Sequence, residues 1–397
     1  VAEWFNMKIA IVHGPGFYYN GGGERIVIEE TKSLRERGYD VDVYSTHVET
    51  AHCFPEETEK LGIIPFFRNL NLPLQAAANM TLSAVIYPLI KRRLRSYDVL
   101  ICHSQPAIWI GYKTEKPYVA YIHRPNCFLY PKPVDQWNFD VNMFVLDKVV
   151  RSFPLSQELD LESTRAADKI LTTSHWIADW TSRIYGVTPV RCPPAPSSIF
   201  QHGNPFRIWW RHGSSSDRPR LLTVTRHAPI KRLDWIVYVF SRLCQDFERA
   251  SLTIVGKHTS HTESLLKLAE SLGVRHRIAL VQDISDARLL DYYQSADLYL
   301  SCAPMEDFGI APLEAMATGL PLVVWGFGGT AELVDDGKTG FKAEAYKLND
   351  FYEKTARIFS LDEEQYRKLS ENAVAKANEY TWKGHVNILE GEIQKLA

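Results

Sequence analysis

KIAIVHGPGFYYNGGGERIVIEET, residues 8–31, opens on a short β-branched run and closes on a helical pattern that three consecutive glycines open. Residues 8–12 read as a strand, and Ile26, Val27 and Leu34 recur at helical spacing beyond the glycines. A strand that feeds a turn and then a helix is the repeating unit of a parallel sheet covered by helices. Without Cβ atoms, Gly22 and Gly23 let backbone amides come close to a ligand, and a helix start favours an anion, so both are candidates for phosphate contact. The stretch is not GxGxxG, and the second strand ends Tyr44-Ser45-Thr46, without the acidic residue that binds a ribose. A nicotinamide-type dinucleotide site is therefore not indicated.

The same alternation continues outward and occurs twice. In the first half the strand candidates are residues 8–12, 41–45, 98–103, 118–123 and 169–173; in the second they are 220–225, 251–255, 277–281, 297–301 and 320–324. A Gly-, Ser- and Pro-rich stretch containing Trp209 and Trp210 separates the two sets and reads as a packed linker. The expected organisation is a Rossmann-like domain over 1–203, a linker over 204–219, a second Rossmann-like domain over 220–379, and a terminal segment over 380–397. Two doubly wound domains imply a cleft between the carboxyl ends of their strands, where open α/β sheets bind ligands. That outline alone names no chemistry.

The 397 residues suit two domains, and a net charge of −2 with 45% hydrophobic and 23% charged residues describes a globular protein, not a disordered chain or a basic nucleic-acid binder. The six cysteines form no CxxC, so neither a disulfide framework nor a structural zinc site is read, and a cytoplasmic compartment is expected. The apolar run at Ile9–Val12 is too brief for a signal-peptide core, and residues 1–6 read as an extension before Met7. From Lys60 to Tyr97 there is no acidic residue, whereas Lys60, Arg68, Lys91, Arg92, Arg93 and Arg95 are basic. Residues 69–90 are uncharged and run into KRRLR, a pattern read either as a buried helix with a solvated basic end or as an element lying on an anionic membrane.

Three further stretches carry chemistry. In TVTRHAPIKRLDW (223–235), Arg226 follows a strand and Lys231 precedes the next helix, so a planar fork and a point charge can clamp a diphosphate. In SCAPMEDFGIAPLEAMATGLPLVV (301–324), Glu306 lies in a post-strand loop and Glu314 is expected on the first turn of the following helix, which Pro312 helps to start. Carboxylates accept paired hydrogen bonds from vicinal hydroxyls, and Phe308, Gly309, Ile310 and Ala311 offer backbone groups at the helix start, which suits a sugar. The loop around Gln282, Asp283 and Ile284 is the candidate base pocket.

Together, Arg226 with Lys231, the pair in EDFGIAPLE (306–314), and GLPLVVWGFGGTAELVDDGKTGF (319–341) resemble the retaining glycosyltransferases of family 4, which have the GT-B fold. The amino half, through GGGERIVIEET, THVETAHCFPEET (46–58) and LESTRAADKILTTSHW (161–176), is similar to mannosyltransferases of lipid-linked oligosaccharide assembly. YTWKGHVNILEGEI (380–393) resembles that family's last helix, which returns to the amino domain. The resemblance implies that Arg226 and Lys231 hold the donor diphosphate, Glu314 the ribose and Glu306 the sugar hydroxyls, with Gly22 and Gly23 approaching the phosphate. It also places His123, in YIHRP, beside the reacting carbon. Arg124-Pro125 after this histidine and Thr330-Ala331 in GGTAEL depart from the family pattern.

The implied reaction is transfer of a hexose, mannose or glucose, from GDP-mannose or a UDP-hexose to a lipid-linked or glycan acceptor at the cytoplasmic membrane face. Configuration is retained by front-face attack, and neither a metal nor another cofactor is required, because the cations stabilise the leaving diphosphate by preorganised electrostatics. Alternatives are a phosphorylase or transferase with a soluble acceptor, a non-catalytic nucleotide-sugar-binding subunit, and a dehydrogenase. No nucleic-acid partner is expected.

Overall fold

The computed structural model describes residues 7–14, 16–67, 82, 87–131, 156–201 and 218–396. They divide into two compact units: the first runs to Pro194 and is joined by the chain from Trp382 onward, and the second covers Ala195–Thr381. Most of the expected linker, residues 204–217, lies outside the described residues, as do Trp209 and Trp210.

The first unit holds an all-parallel sheet of β1 (Lys8–His13), β2 (Asp40–Ser45), β3 (Ile64–Pro65), β4 (Val99–His103), β5 (Tyr118–Ile122), β6 (Lys169–Thr172) and β7 (Val190–Arg191). Their order is β3-β2-β1-β4-β5-β6-β7. Around it run α1 (Gly22–Glu36), α2 (Pro55–Leu61), α3 (Tyr87–Leu94), α4 (Ala107–Thr114), α5 (Ser156–Arg165) and α6 (His175–Tyr185). The central strands are apolar without interruption because helices cover both faces; Ile9, Ala10, Ile11 and Val12 are all fully buried. The strand order reverses between β1 and β4, which pairs His13 with His103 at their carboxyl ends. That reversal is where doubly wound sheets bind ligands.

The C-terminal helix, Trp382–Ile393, docks on this unit. Arg37 pairs with Glu390, Tyr39 donates to the same carboxylate at 2.9 Å, and His385 reaches Glu30 of α1 at 2.8 Å.

The second unit repeats the topology with β8 (Arg220–Val224), β9 (Ser251–Val255), β10 (Ile278–Val281), β11 (Leu298–Ser301), β12 (Leu322–Trp325) and β13 (Gly340–Ala343), in the order β10-β9-β8-β11-β12-β13. Its helices are α7 (Leu233–Asp246), α8 (His261–Ser271), α9 (Asp286–Ser295), α10 (Ile310–Ala317), α11 (Leu348–Phe359) and α12 (Glu363–Ala377). Here the order reverses between β8 and β11, which Asp297 ties together by taking both arms of the Arg220 guanidinium at 3.1 and 2.6 Å.

All ten expected strands are present, with ends displaced by a residue or two. Three more were not legible. β3 and β7 are two-residue edges with no periodicity to detect, and β13 opens on Gly340, whose missing Cβ would sit 2.3 Å from the carbonyl oxygen of Leu322. The expected apolar helix over 69–90 lies mostly outside the described residues; α3 begins at Tyr87 and carries Lys91, Arg92 and Arg93 in its last turn. No described helix is long and apolar enough to cross a membrane.

Candidate active site

In the second domain the chemistry gathers at the carboxyl ends of β8 and β11. Beyond β8 the chain turns through Arg226, and His227 N–H bonds the Lys257 carbonyl at 3.0 Å, so the loop after β8 is pinned to that after β9. A short 3₁₀ turn, Pro229–Lys231, then aims Lys231 across to the loop after β11, where its Nζ lies 2.7 Å from Glu306 Oε2. Two residues separated by 75 positions are thus brought into direct contact, with about a fifth of each side chain exposed.

The loop carrying Glu306 is fixed before any ligand is considered. Trp325 Nε1 bonds the Cys302 carbonyl at 2.9 Å, Tyr346 hydroxyl bonds that of Pro304 at 3.0 Å, and Gly329 N–H bonds that of Glu306 at 2.7 Å. A Cβ on Gly329 would stand 1.9 Å from the Asp307 carbonyl oxygen, so only glycine permits this approach. Such positioning is what electrostatic stabilisation of a developing charge requires.

Helix α10 begins at Gly309, whose φ of 98° is left-handed and suits glycine. As a glycine, Gly309 has no side chain to cap the helix, whereas Ser174 and Ser285 cap α6 and α9. Phe308 and Gly309 are buried and Ile310 and Ala311 half-buried. Glu314 falls one residue past the first turn expected from sequence: with the helix starting at Ile310 it is the fifth residue, and Pro312 the third. It is buried and accepts from Tyr293 hydroxyl at 3.0 Å. Burial, then the Glu314 charge, pushes Tyr293 well above the ordinary phenol range, so it remains a donor.

Asp283 and Ile284 follow β10, the edge strand, two strands from β8. Their loop connects back through Gln282, whose Oε1 accepts from His258 N–H at 3.1 Å, and His258 stacks on His227 at 4.7 Å. Burial, then His258 and His261, lowers His227 to a pKa of about 4. Asp283 is exposed, with a φ of 55°.

In the first domain, His123 is the first residue past β5 and is half-buried. A Cβ on Gly23 would lie 3.6 Å from His13 Cε1 and 4.0 Å from His123 Cε1, so the start of α1, the end of β1 and the loop after β5 converge. Like α10, α1 starts at a glycine, Gly21, with no side-chain cap. Glu24 folds back over Gly21 and lies 3.7 Å from His13 Nε2, so this helix start already holds one carboxylate.

Residues 20–196 match the model of Glycosyltransferase Family 4, and residues 207–376 match that of Glycosyl transferases group 1. The two models share the chain between them. The chain belongs to the family 4 glycosyltransferases. The transferase is 23% identical over 389 residues to the D-inositol 3-phosphate glycosyltransferase of Nocardia farcinica, covering 93% of this chain and 83% of that one. It is 22% identical over 358 residues to the human alpha-1,3/1,6-mannosyltransferase ALG2, covering 82% and 81%. Anabaena HepE, solved in complex with UDP, superposes with a TM-score of 0.74 at 17% identity, over 98% of this chain and 100% of that one. The two Rossmann-like domains are those of the GT-B fold.

Sequence reading of the transferase missed four buried residues of its first domain: His13, Glu30, His103 and His385. The first and third stand at strand ends, where a histidine closing an apolar run was the available signal. Glu30 and His385 are 355 positions apart, and no local pattern joins them.

Proposed function

We propose that this glycosyltransferase moves a hexose from a nucleotide sugar to a lipid-linked or glycan acceptor with retention of configuration. The observation that carries this reading is the 2.7 Å pair of Lys231 and Glu306 at the carboxyl edge of the second sheet, beside the uncapped start of α10. A diphosphate takes Lys231 and Arg226 as counter-charges, and the freed Glu306 accepts from sugar hydroxyls. Glu314, held by Tyr293, accepts from the ribose. As the sugar–phosphate bond breaks, negative charge grows on the leaving oxygen, and the two cations stabilise it without a metal. In the first domain His123 accepts from a hydroxyl of the sugar or the acceptor, and Gly22 and Gly23 bring backbone close to the phosphate. The leaving phosphate takes the proton of the incoming hydroxyl, and neither glutamate forms a covalent bond.

Mannose as the sugar is supported by the name of a relative, an alpha-1,3/1,6-mannosyltransferase, and glucose by Anabaena HepE, solved in complex with UDP-glucose. A membrane-borne acceptor is supported by α3, where Arg92 and Arg93 are exposed and Leu89 is 61% exposed. Within it, Lys91 is engaged with Glu115 at 2.9 Å. The test is a panel of GDP- and UDP-hexoses measured first for thermal stabilisation and then for transfer to polyprenyl-diphosphate glycans in anionic vesicles. Stabilisation by one donor with transfer to the lipid-borne acceptor and retained anomeric configuration is expected. Transfer only to free sugars or phosphate would replace this reading with the soluble-acceptor one.

A further inference from the structure

Behind His123 runs a chain of ionisable side chains that the transfer reaction as described above does not use. His123 Nε2 lies 3.0 Å from His103 Nδ1, and His103 Nε2 lies 2.8 Å from Glu30 Oε2. The other oxygen of Glu30 lies 2.8 Å from His385 Nε2, and His385 Nδ1 lies 2.9 Å from the carbonyl oxygen of Pro193. Glu30 and His103 are fully buried and His385 very nearly so, and Tyr121 stacks on His103 at 4.9 Å and 22°. The chain crosses four elements, from the C-terminal helix through α1 and β4 to the loop after β5.

The hydrogens on this chain can be counted. A carbonyl oxygen only accepts, so His385 Nδ1 must carry hydrogen, and a carboxylate oxygen only accepts, so His385 Nε2 must carry one too. His385 is therefore an imidazolium balancing the Glu30 carboxylate. The pKa directions agree: burial opposes both charges, yet His103 and His385 hold Glu30 down at about 2, and His385 is held up at about 10 beside Cys192 and Glu30. Cys192 stays a thiol, since burial raises it. With the charges balanced, His103 is neutral. Its Nε2 faces a carboxylate oxygen at 2.8 Å, off the hydrogen-bond line but too near for two lone pairs to meet, so that nitrogen bears the hydrogen. Its Nδ1 is then a lone pair, and the hydrogen between the two rings must sit on His123 Nε2. Burial holds the His123 pKa well below the usual histidine range and so keeps it neutral.

We propose that Glu30, acting through His103 and anchored by His385, is a positioning residue that holds His123 as its Nε2–H tautomer, leaving Nδ1 as the hydrogen-bond acceptor at the transfer site. A histidine of the wrong tautomer offers a donor where an acceptor is needed, and in a hydrolytic triad that error alone lowers kcat by roughly ten-thousandfold. The part of the proposal that concerns transfer rests on the role given to His123 above; the tautomer does not.

The test is a long-range ¹H–¹⁵N spectrum of the full chain labelled at histidine, with His123 assigned by loss of its signals in His123→Gln. A protonated Nε2 and an unprotonated Nδ1 are expected. In Glu30→Gln the carboxamide can turn its NH₂ toward His103, so His123 should gain Nδ1–H signal, and kcat should fall at least tenfold with donor KM little changed. His103→Asn keeps a carbonyl acceptor for His123 Nε2–H and should retain both the native pattern and more activity than Glu30→Gln. An Nδ1–H pattern in the native protein, or a native pattern in folded Glu30→Gln, overturns the proposal; should Glu30→Gln not fold, the native spectrum decides it. Full transfer activity in His123→Gln would instead overturn the role assigned to His123 and leave the tautomer standing.

Discussion

Lys231 and Glu306 are each other's partner at 2.7 Å, and under the proposed function donor binding exchanges that bond for one from each to the donor. Under the proposed function, removing either side chain takes away transition-state stabilisation, and the partly exposed site is rehydrated. Lys231→Ala and Glu306→Ala are expected to lower kcat/KM by roughly 10²–10³ or more, as losing one preorganised group does elsewhere. Thermal unfolding should move little in either, which a melting curve checks. Tyr293→Phe removes the donor that aims Glu314, so donor KM should rise several-fold with kcat nearly unchanged in steady-state assays. Arg226, Lys231 and Glu306 were legible as residues of two short post-strand loops, and Glu314 as a residue of the helix that follows the second. His13, Glu30, His103 and His385 were not, because their chemistry arises only where distant strand ends and helices meet in the folded chain.

At the level of elements, glycine marks the places where backbone meets backbone or ligand. Gly23→Ala adds a Cβ at ordinary van der Waals distance from His13 and His123, so the helix should form and the protein keep its stability. The added methyl nevertheless occupies the space beside His123, and donor or acceptor affinity should weaken, read as a raised KM. Gly329→Ala is the contrasting case: its Cβ would press on the Asp307 carbonyl, and both stability and activity should drop together. The long β-branched strands could be read from sequence because helices on both faces demand uninterrupted apolar runs. The two-residue edges could not, since their pairing depends on a neighbour and not on their own composition.

For the molecule as a whole, the buried Glu30–His385 pair makes stability depend on pH with a definite sign. His385 is raised from 6.5 to about 10, so its contribution is complete below pH 6.5 and drains away as pH rises through about 10. Glu30 is lowered from 4.5 to about 2, so its contribution is complete above pH 4.5 and is lost as pH falls through about 2. The contribution of this pair is therefore flat between pH 4.5 and 6.5, and denaturant unfolding should show its loss as a decline from 6.5 toward 10, whereas below 6.5 the lowered His227 adds a separate loss of stability as pH falls. Glu30→Gln should flatten that decline, and an equally steep decline in the variant would assign it to other groups. The repeat of two doubly wound halves was legible from composition and alternation. The return of the C-terminal helix was carried by family resemblance, since its contacts lie hundreds of residues away in sequence.

Because the last helix completes the amino-terminal unit, a fragment cut at Pro194 would leave Glu30 paired with His103 but facing the empty place of His385 on its other side. Such a fragment should be rescued in trans by a synthetic peptide spanning residues 382–396, and split-protein complementation becomes a direct way to titrate how strongly the tail is held.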